Sequence, residues 1–425
     1  MYAGAEHGIH QRIEFHQQIT YTLMNTEFIL ADRHFTLVRY PEKHQHVSLQ
    51  AWDSADELVI EHIEALLSEN EAMVNNDSPM MLFNDEFGAL GCWFSHLAPL
   101  WVSDSYIALR SLQENLASNN LLSGDDESKT APITPLSSVE SLTFTPKNAP
   151  SVVVLKVPRA LALLEQQLID IQRYITPNTK VIATGKVKTI TKSVLGLFEK
   201  YIGPTTTSLA KKKSRLIFSS PDENKQKATS PYPTRWQCKG TTGVSLTLDN
   251  LANTFSRQSL DIGARIMLEH MTVSANDVVV DLGCGNGVLG VNALSLAPDC
   301  KVIFIDESYM ALESARQNVL NNFPDKIDQC EFVASNCLES LLNRTNTPAV
   351  TKILCNPPFH QQNAITDHIA WQMFTDSRAL LVKSGHLVVV GNRHLDYHIK
   401  LKKLFGGAKV LASDKKFVIL GTAKR

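Results

Sequence analysis

Val278–Glu307 has the sequence VVVDLGCGNGVLGVNALSLAPDCKVIFIDE, whose pattern indicates the fold class of the chain. Two apolar runs, Val278–Val280 and Val302–Ile305, flank a glycine-rich turn and a segment of helix length. Continuous apolar runs bounded by turn residues are typical of fully buried parallel strands. The stretch therefore predicts a β-α-β unit in an α/β protein with a Rossmann-like sheet.

The glycine-rich turn predicts a site for a nucleoside cofactor. Gly283, Gly285 and Gly287 stand at alternate positions, which lets the backbone pass close to a ligand where strand becomes helix. Asp306 ends the next strand, where a carboxylate can accept hydrogen bonds from both hydroxyls of a ribose.

The acid before the turn indicates which cofactor binds. Nicotinamide and flavin sites use G-x-G-x-x-G around a pyrophosphate, which Asp281 would repel. The same carboxylate suits the positively charged amino-acid end of S-adenosylmethionine, so this cofactor is favoured over an ordinary glycine-rich turn. Asn336, at the end of a later strand, is expected at the adenine edge, although a solvent-facing asparagine is the alternative. The predicted cofactor-binding residues are Asp281, Gly283, Cys284, Gly285, Asn286, Gly287, Asp306 and Asn336.

A second motif, Asn356-Pro357-Pro358-Phe359, follows the apolar run Ile353–Cys355 and predicts the reaction. In doubly wound sheets ligands bind at the carboxyl ends of strands, so the motif should face Gly283. Its prolines leave carbonyls free as acceptors, and Asn356 adds an amide oxygen. Two such acceptors can hold a planar amino group while Phe359 stacks on the attached base. The pattern predicts methylation of an exocyclic amine by positioning and electrostatics, with these four residues as catalytic residues and no metal.

An internal repeat predicts the architecture. Ser105–Leu109 (SYIAL) is matched by Ser308–Leu312 (SYMAL), and Val152–Pro158 is matched by Lys352–Pro358. Similarity at a near-constant offset is typical of duplicated units, although two unrelated parallel-sheet domains are an alternative. The first copy lacks the chemistry, since Asn84–Gly88 replaces the glycine turn and Lys156 replaces Asn356.

The predicted fold is therefore two tandem Rossmann-like domains of the class I methyltransferase type, with a degenerate N-terminal copy. Chain length agrees with two domains. The predicted boundaries are 1–35 for an N-terminal extension, 36–218 for the degenerate domain with an RNA-binding or structural role, 219–235 for a polar linker, and 236–425 for the catalytic domain. A polar loop is expected within the first domain at Ser123–Pro150.

Composition indicates a cytoplasmic protein. Among 425 residues, 44% are hydrophobic and 20% are charged, as in ordinary globular proteins. No apolar stretch reaches the ~18 residues of a membrane span, and the N-terminus lacks the apolar core of a signal peptide. Seven cysteines without a C-x-x-C pair suggest buried thiols in a reducing compartment.

Local charge, rather than the net charge of −2, predicts a nucleic-acid partner. Lysines and arginines are concentrated in residues 180–215 and 400–425, in corresponding parts of the two copies. These stretches can form one face for a phosphate backbone, although solvated helix faces are the alternative. The predicted substrate-binding residues are Arg393, Lys211, Lys212 and Lys213.

Three motifs together resemble the bacterial ribosomal RNA guanine-N2 methyltransferases: Asp281–Gly287, Asn356–Gln362 and Asn392–Tyr397. The resemblance covers roughly residues 36–425 and implies two Rossmann-like domains, S-adenosylmethionine as cofactor, guanine N2 as target and cytoplasmic action on rRNA. By motif match, Asp281 and the three glycines hold the cofactor, Asp306 holds its ribose, and Asn356–Phe359 hold the base.

Three segments of the first copy indicate which members of this family the chain resembles. Lys156–Pro158, Leu161–Leu168 and Gly203–Thr207 resemble the members that act on 23S rRNA, naked or in a precursor of the large subunit. No membrane or obligate protein partner is inferred. The N-terminal extension and the loop at Ser123–Pro150 depart from the family pattern.

Several alternatives stay open. The small-subunit relatives methylate guanine N2 of 16S rRNA, and DNA adenine-N6 and protein glutamine methyltransferases use similar Asn-Pro-Pro-aromatic motifs. A non-catalytic ribosome-assembly factor with a relic cofactor site is the alternative from another class. The degenerate first copy and the basic stretches favour a bulky RNA substrate, and the intact motif at Asn356 argues against a relic site.

Overall fold

The computed structural model describes residues 25–41, 49–122, 133–140, 148–358 and 364–425. Phe359, residues 1–24 of the predicted extension and most of the predicted loop at 123–150 lie outside these ranges. None of the helices in the described ranges combines the length and apolar character that a bilayer crossing requires.

The first half of the chain forms a seven-stranded sheet flanked by helices. The sheet order is β5-β4-β3-β6-β7-β9-β8, parallel except at β9, which runs antiparallel to both of its neighbours. In chain order the elements are β1 (Glu27–Leu30), β2 (Arg33–Thr36), α1 (Ser54–Glu69), β3 (Met80–Phe83), α2 (Ala89–Trp93), β4 (Leu100–Ser103), α3 (Tyr106–Ser118), β5 (Thr134–Ser137), β6 (Val152–Lys156), α4 (Leu161–Gln172), β7 (Lys180–Lys186), α5 (Lys192–Tyr201), β8 (Thr205–Thr207) and β9 (Ser214–Ser219).

The second half repeats this topology after a short hairpin. Its sheet order is β14-β13-β12-β15-β16-β18-β17, with β18 antiparallel to both of its neighbours. The elements are β10 (Thr234–Lys239), β11 (Ser245–Asn250), α6 (Ile262–His270), β12 (Val278–Leu282), α7 (Val288–Leu296), β13 (Lys301–Asp306), α8 (Tyr309–Asn322), β14 (Cys330–Ala334), α9 (Glu339–Leu342), β15 (Lys352–Cys355), α10 (Ala364–Leu380), β16 (His386–Asn392), α11 (Tyr397–Phe405), β17 (Lys409–Ser413) and β18 (Phe417–Ala423). The prediction of two tandem Rossmann-like domains is confirmed.

The two domains also share a side-chain network, which supports their origin by duplication. Asn115 of α3 donates to the carbonyl of Phe87, just before α2, at 2.7 Å and exchanges two hydrogen bonds with the backbone of Val38. In the second domain Asn318 of α8 makes equivalent bonds to the turn before α7 and to strand β11. Buried amides that satisfy the same backbone groups in both copies are not expected of two unrelated sheets.

The hairpin β1–β2 belongs structurally to the first domain. Phe28 and Phe35 are buried, and their rings lie 5.8 and 5.7 Å from the Trp93 ring. The structure thus places this hairpin across the boundary expected at residue 36. The hairpin gave no sequence signal because its two short strands, with the sequences EFIL and RHFT, mix polar and apolar residues, and neither is a continuous apolar run.

The domains meet through the segments that revealed the repeat. Ser105 and Ser308 each cap a helix, and they pair with each other in an antiparallel bridge. Asp104 is buried and accepts hydrogen bonds from the Ser308 hydroxyl at 2.5 Å and from the Met310 N–H at 2.8 Å. Glu307 accepts from the Ser105 hydroxyl at 2.6 Å. This near-twofold contact brings the first domain beside the carboxyl end of β13.

Candidate active site

A cavity of about 1230 Å³ lies at the carboxyl ends of the central strands of the second sheet. Binding sites of doubly wound sheets are expected at this edge. The predicted site residues in the cavity wall are Gly283, Gly285, Asp306, Asn336, Asn356, Pro357 and Pro358. The structure therefore brings the glycine turn and the Asn-Pro-Pro motif to one site.

The turn after β12 is open toward the cavity. Gly283 and Gly285 have φ angles of +70° and +54°, in the left-handed region that favours glycine. A Cβ atom on Gly283 would lie 3.3 Å from Met373, and one on Gly285 would meet only Phe255, at 3.8 Å. Side chains here would therefore occupy ligand space. This backbone cradle fits the close approach that a nucleoside cofactor requires.

The remaining predicted turn residues support the cradle without being part of the cavity wall. Gly287 caps α7 with φ of +75°, and a Cβ atom on it would lie 2.7 Å from the Ala315 side chain. Cys284 and Asn286 are buried, and Asn286 donates to the side chain of Asn250. The last glycine of the turn thus serves the packing of α7 on α8.

Asp281 lies behind the turn. Its side chain is 1% exposed and accepts a hydrogen bond from the Gly290 N–H at 2.8 Å. Burial raises the pKa of this carboxyl to about 8. The sequence pattern predicts that its charge faces the amino-acid end of the cofactor, whereas in the structure the carboxyl group accepts from the first turn of α7.

Asp306 faces the cavity from the end of β13. Its carboxylate accepts hydrogen bonds from the backbone N–H groups of Gly285, at 2.9 Å, and Ser308, at 3.0 Å. Desolvation raises the pKa of this group. The two bonds fix the carboxylate beside the glycine turn, where the ribose of a nucleoside is expected.

Asn336 follows β14 and connects the cavity to the first domain. Its amide donates to Glu339 at 3.3 Å, and Glu339 also accepts from the hydroxyl of Tyr40. Desolvation first, and then the charge of Asp376, raises the pKa of Glu339 to about 7. The predicted adenine contact is thus attached to a side chain of the degenerate domain.

Asn356 presents a free acceptor. Its Nδ2 donates to the Asp261 carboxylate at 3.1 Å, whereas its Oδ1 is buried and has no hydrogen-bond partner among the described residues. A buried acceptor without a partner costs on the order of 1–3 kcal/mol, so such an atom is expected to be satisfied by a ligand. Pro357 and Pro358 line the cavity beside it.

The predicted substrate-binding lysines lie elsewhere. Lys211, Lys212 and Lys213 are exposed in the turn between β8 and β9, outside the cavity wall. Lys211 and Lys212 form ion pairs with two glutamates of α1. Arg393 is exposed near the cavity and donates to the backbone of the β17–β18 turn, whose Lys416 lines the cavity. The structure therefore brings only Arg393 near the site.

Sequence reasoning missed the contribution of the first domain to the cavity. Arg39, Tyr40, Phe87 and Ile107 line it, and the guanidinium of Arg39 lies 4.2 Å from the centre of the Phe87 ring. Arg39 and Tyr40 belong to no recognisable motif, whereas Phe87 lies in the degenerate turn Asn84–Gly88 and Ile107 lies in the repeated segment Ser105–Leu109. Only the duplication gave a signal, because Phe87 precedes the cap of α2 as Asn286 precedes that of α7.

In the first domain an ion pair occupies the corresponding position. Lys156, the counterpart of Asn356, lies 2.6 Å from the fully buried carboxylate of Asp56. Asp85 accepts from the Gly91 N–H six residues on, as Asp281 accepts from a glycine nine residues on. The turn of the first copy is therefore shorter by three residues. Its acid, Asp85, keeps the hydrogen bond to the start of the following helix although the glycine-rich turn has been replaced.

Two protein-family models match the chain. The model described as the RLMG N-terminal domain matches residues 25–223, and the model described as the methyltransferase small domain matches residues 245–421. The two matches correspond to the two sheet domains.

A solved structure also matches along the chain. The chain is similar to a T. thermophilus 16S rRNA N2 methyltransferase in complex with AdoMet and guanosine, with a TM-score of 0.68 and 17% identity, over 94% of this chain and 98% of that chain. At this identity the likeness shows the fold.

Curated relatives match at much higher identity. The ribosomal RNA large subunit methyltransferase G of Alteromonas mediterranea is 81% identical over 410 residues, covering 95% of this chain and 100% of the relative. The protein of the same name from Pseudoalteromonas atlantica is 51% identical over 404 residues, with the same coverage. Because this similarity extends through both domains, the chain belongs to the ribosomal RNA large subunit methyltransferase G family.

Proposed function

We propose that the chain transfers a methyl group from S-adenosylmethionine to the exocyclic N2 amine of a guanosine in 23S rRNA. The observation that carries the proposal is the buried, unpartnered Oδ1 of Asn356 beside an open glycine turn. Residues 236–425 form the catalytic domain, and residues 36–218, with the β1–β2 hairpin packed on them, have an RNA-binding or structural role. The names of the curated relatives support rRNA of the large subunit as the substrate.

The glycine turn and its neighbours fit the cofactor. Gly283 and Gly285 would leave room for its amino-acid end, Asp306 would accept hydrogen bonds from the ribose hydroxyls, and Asn336 would contact the adenine. S-adenosylmethionine supplies an electrophilic methyl group on a sulfonium centre. Asp281 keeps the turn in shape through Gly290, and this role requires no charge.

The Asn-Pro-Pro motif fits the target. The Oδ1 of Asn356 accepts a hydrogen bond from one N–H of the guanine amine, and the carbonyl of Pro357 accepts a hydrogen bond from the other N–H. Two acceptors in fixed positions orient the nitrogen and favour the pyramidal geometry that alkylation needs. Phe359, which lies outside the described residues, is proposed to stack on the base. The acceleration comes from positioning and preorganised acceptors and needs no strong general base, because the methylated amine is acidic and loses its extra proton to water.

Local charge supports binding of a large RNA. The basic turn at Lys211–Lys213 and the second turn at Lys415 and Lys416 occupy equivalent positions, between the last antiparallel strands of the two sheets. Phosphate contacts of this kind position an RNA without reading its sequence. We propose that 23S rRNA, naked or in a large-subunit precursor, is the partner and that the protein acts in the cytoplasm.

The test uses tritiated S-adenosylmethionine with protein-free 23S and 16S rRNA from a strain lacking the gene. We expect label in N2-methylguanosine from 23S rRNA alone. Asn356→Ala should lower kcat by about 100-fold or more, because it removes a preorganised acceptor, while the Kd of the cofactor changes little. The control is Asn343→Ala, which changes an exposed asparagine after α9.

Other outcomes would assign other functions. Label in 16S rRNA would favour the activity of the small-subunit enzymes, and label in N6-methyladenosine would identify a different amine. Full activity of Asn356→Ala would contradict the positioning mechanism. An absence of label in free rRNA and in ribosomal subunits, with the cofactor still bound, would favour a non-enzymatic role in ribosome assembly.

A further inference from the structure

We propose that Asp261 is a positioning residue that fixes which end of the Asn356 amide faces the substrate. The inference rests on the proposed function and assigns a role to a residue outside both sequence motifs. Asp261 stands at the start of α6, lines the cavity and contacts the side chain of Asn356.

The contacts of Asp261 favour one of the two orientations of the Asn356 side-chain amide. One oxygen of Asp261, Oδ2, accepts from the Ala264 N–H at 3.0 Å and from Nδ2 of Asn356 at 3.1 Å. The first of these bonds is the N-terminal cap of α6, so the backbone of the helix sets the position of the oxygen. An ionised carboxylate only accepts hydrogen bonds, so only the NH₂ end of Asn356 can face it.

The consequence appears at the other end of the amide. With Nδ2 held by Asp261, Oδ1 is directed away from it and is the atom left without a partner. The two ends of an asparagine amide have nearly the same size, so packing alone selects poorly between them. A reversed amide would place a donor against the donating amine of guanine. Asp261 therefore keeps an acceptor where the reaction requires one.

In the first domain the acid at the corresponding helix start combines capping with a different second contact, an ion pair with Lys186 at 3.2 Å. Asp53 caps α1 there, accepting from the Ala55 N–H at 2.6 Å, although a lysine replaces the asparagine of the motif. An acid is therefore kept at this helix start where no amide has to be oriented. In the second domain, a substitution that keeps the cap and removes the contact with Asn356 should isolate the orienting role.

Asp261→Ser and Asp261→Asn form the matched pair. Serine caps a helix well but is too short to reach Asn356, whereas asparagine keeps an acceptor oxygen at both distances. We expect Asp261→Ser to lower kcat on 23S rRNA by about 10- to 100-fold, with the Kd of S-adenosylmethionine and the Tm unchanged. Asp261→Asn should keep kcat within about 5-fold of the wild type, because asparagine retains an acceptor oxygen. The remaining loss is expected because the new amide is itself less strictly oriented than a carboxylate.

A double-mutant cycle with Asn356→Ala completes the test. If Asp261 acts through Asn356, adding Asp261→Ser to Asn356→Ala causes no further loss of activity. Full additivity of the two losses would overturn the proposal, as would wild-type kcat in Asp261→Ser. Activity of Asp261→Asn as low as that of the serine variant would also overturn it, because the charge and not the acceptor would then matter.

Failure of this inference and failure of the proposed function are distinguishable. An inactive Asn356→Ala enzyme with a fully active Asp261→Ser enzyme would refute only the orienting role. A fully active Asn356→Ala enzyme would refute the function on which it rests. If Asp261→Ser lowers the Tm, the comparison and the double-mutant cycle are repeated with Asp261→Thr, since threonine is also a capping residue. The result for Asp261→Thr then decides the test.

Discussion

At the scale of single residues, Asp281 is a buried acid with one backbone donor, Gly290, as its partner. Its pKa is about 8 in the folded protein, against an ordinary value of 3.8. Between these values the unfolded chain is ionised while the folded chain keeps the proton. Folding then binds a proton, so this residue makes stability fall as pH rises from about 4 to 8.

Asp281→Asn should remove that pH dependence. The amide oxygen of asparagine can still accept from Gly290, and the amide has no proton to lose over this range. The variant should therefore gain in Tm relative to the wild type as pH increases from 5 to 8, measured by thermal unfolding at four pH values. Asp299→Asn, at an exposed acid of the same domain, controls for the change of net charge. A Tm difference that does not vary with pH would contradict the assignment.

Residues that form motifs could be predicted from the sequence, and their partners could not. The glycines of the turn, Asp306 and Asn356 were recognisable because each follows an apolar run that predicts a strand. Asp261 and Tyr40 were missed because their contacts with Asn356 and Glu339 join parts of the chain that only the tertiary fold brings together. A helix-capping acid has no sequence feature that shows a second partner.

At the scale of elements, α7 packs closely on the second sheet at Gly290. A Cβ atom there would lie 2.2 Å from the ring of Phe304, which is fully buried and stacks on Phe332 at 5.0 Å. Gly196 in α5 offers the contrast, since a Cβ atom there would meet nothing within 4 Å. Close packing of α7 against Phe304 thus requires glycine at position 290, whereas no neighbouring atom requires it at position 196.

Gly290→Ala should lower the unfolding free energy by about 1–3 kcal/mol, because the added methyl group overpacks the core against Phe304. Gly196→Ala should raise it by about 0.5–1 kcal/mol, because alanine reduces the entropy lost on forming a helix. Urea denaturation measures both values. Equal effects of the two substitutions would show that the close approach of α7 to Phe304 does not determine stability.

Strands with continuous apolar runs could be predicted, and short strands of mixed polarity could not. The apolar runs of β12, β13 and β15 predicted the central strands, and the repeat predicted their counterparts in the first domain. The four-residue strands β1 and β2 were missed. The counterpart of Asp281 in the first copy was also missed, because the shortened turn moves Asp85 out of the alignment that the glycines suggest.

At the scale of the whole molecule, the duplication explains how the site is enclosed. The segments that match in sequence, Ser105–Leu109 and Ser308–Leu312, are part of the contact between the domains and pair with each other there. The sequence predicted the repeat but not this contact, because self-similarity says nothing about how two copies pack. The contact places the first domain over the adenosine end of the proposed cofactor site.

Tyr40→Phe tests whether the first domain takes part in cofactor binding. The hydroxyl of Tyr40 donates a hydrogen bond to Glu339, which also accepts one from Asn336 at 3.3 Å. The hydroxyl therefore helps to fix Asn336, the proposed adenine contact. One lost hydrogen bond should raise the KM for S-adenosylmethionine by about 2- to 10-fold, with kcat and Tm nearly unchanged. Titration calorimetry with the cofactor alone gives the corresponding change in Kd.

The matched control is Tyr232→Phe, since the Tyr232 hydroxyl donates to Glu165 at 2.9 Å outside the cavity wall. This variant should bind the cofactor as the wild type does. If both variants bind it equally well, the first domain shapes the cavity without contributing to cofactor affinity. If only Tyr40→Phe binds it more weakly, the degenerate copy has lost its own cofactor site and become part of the site of its partner domain.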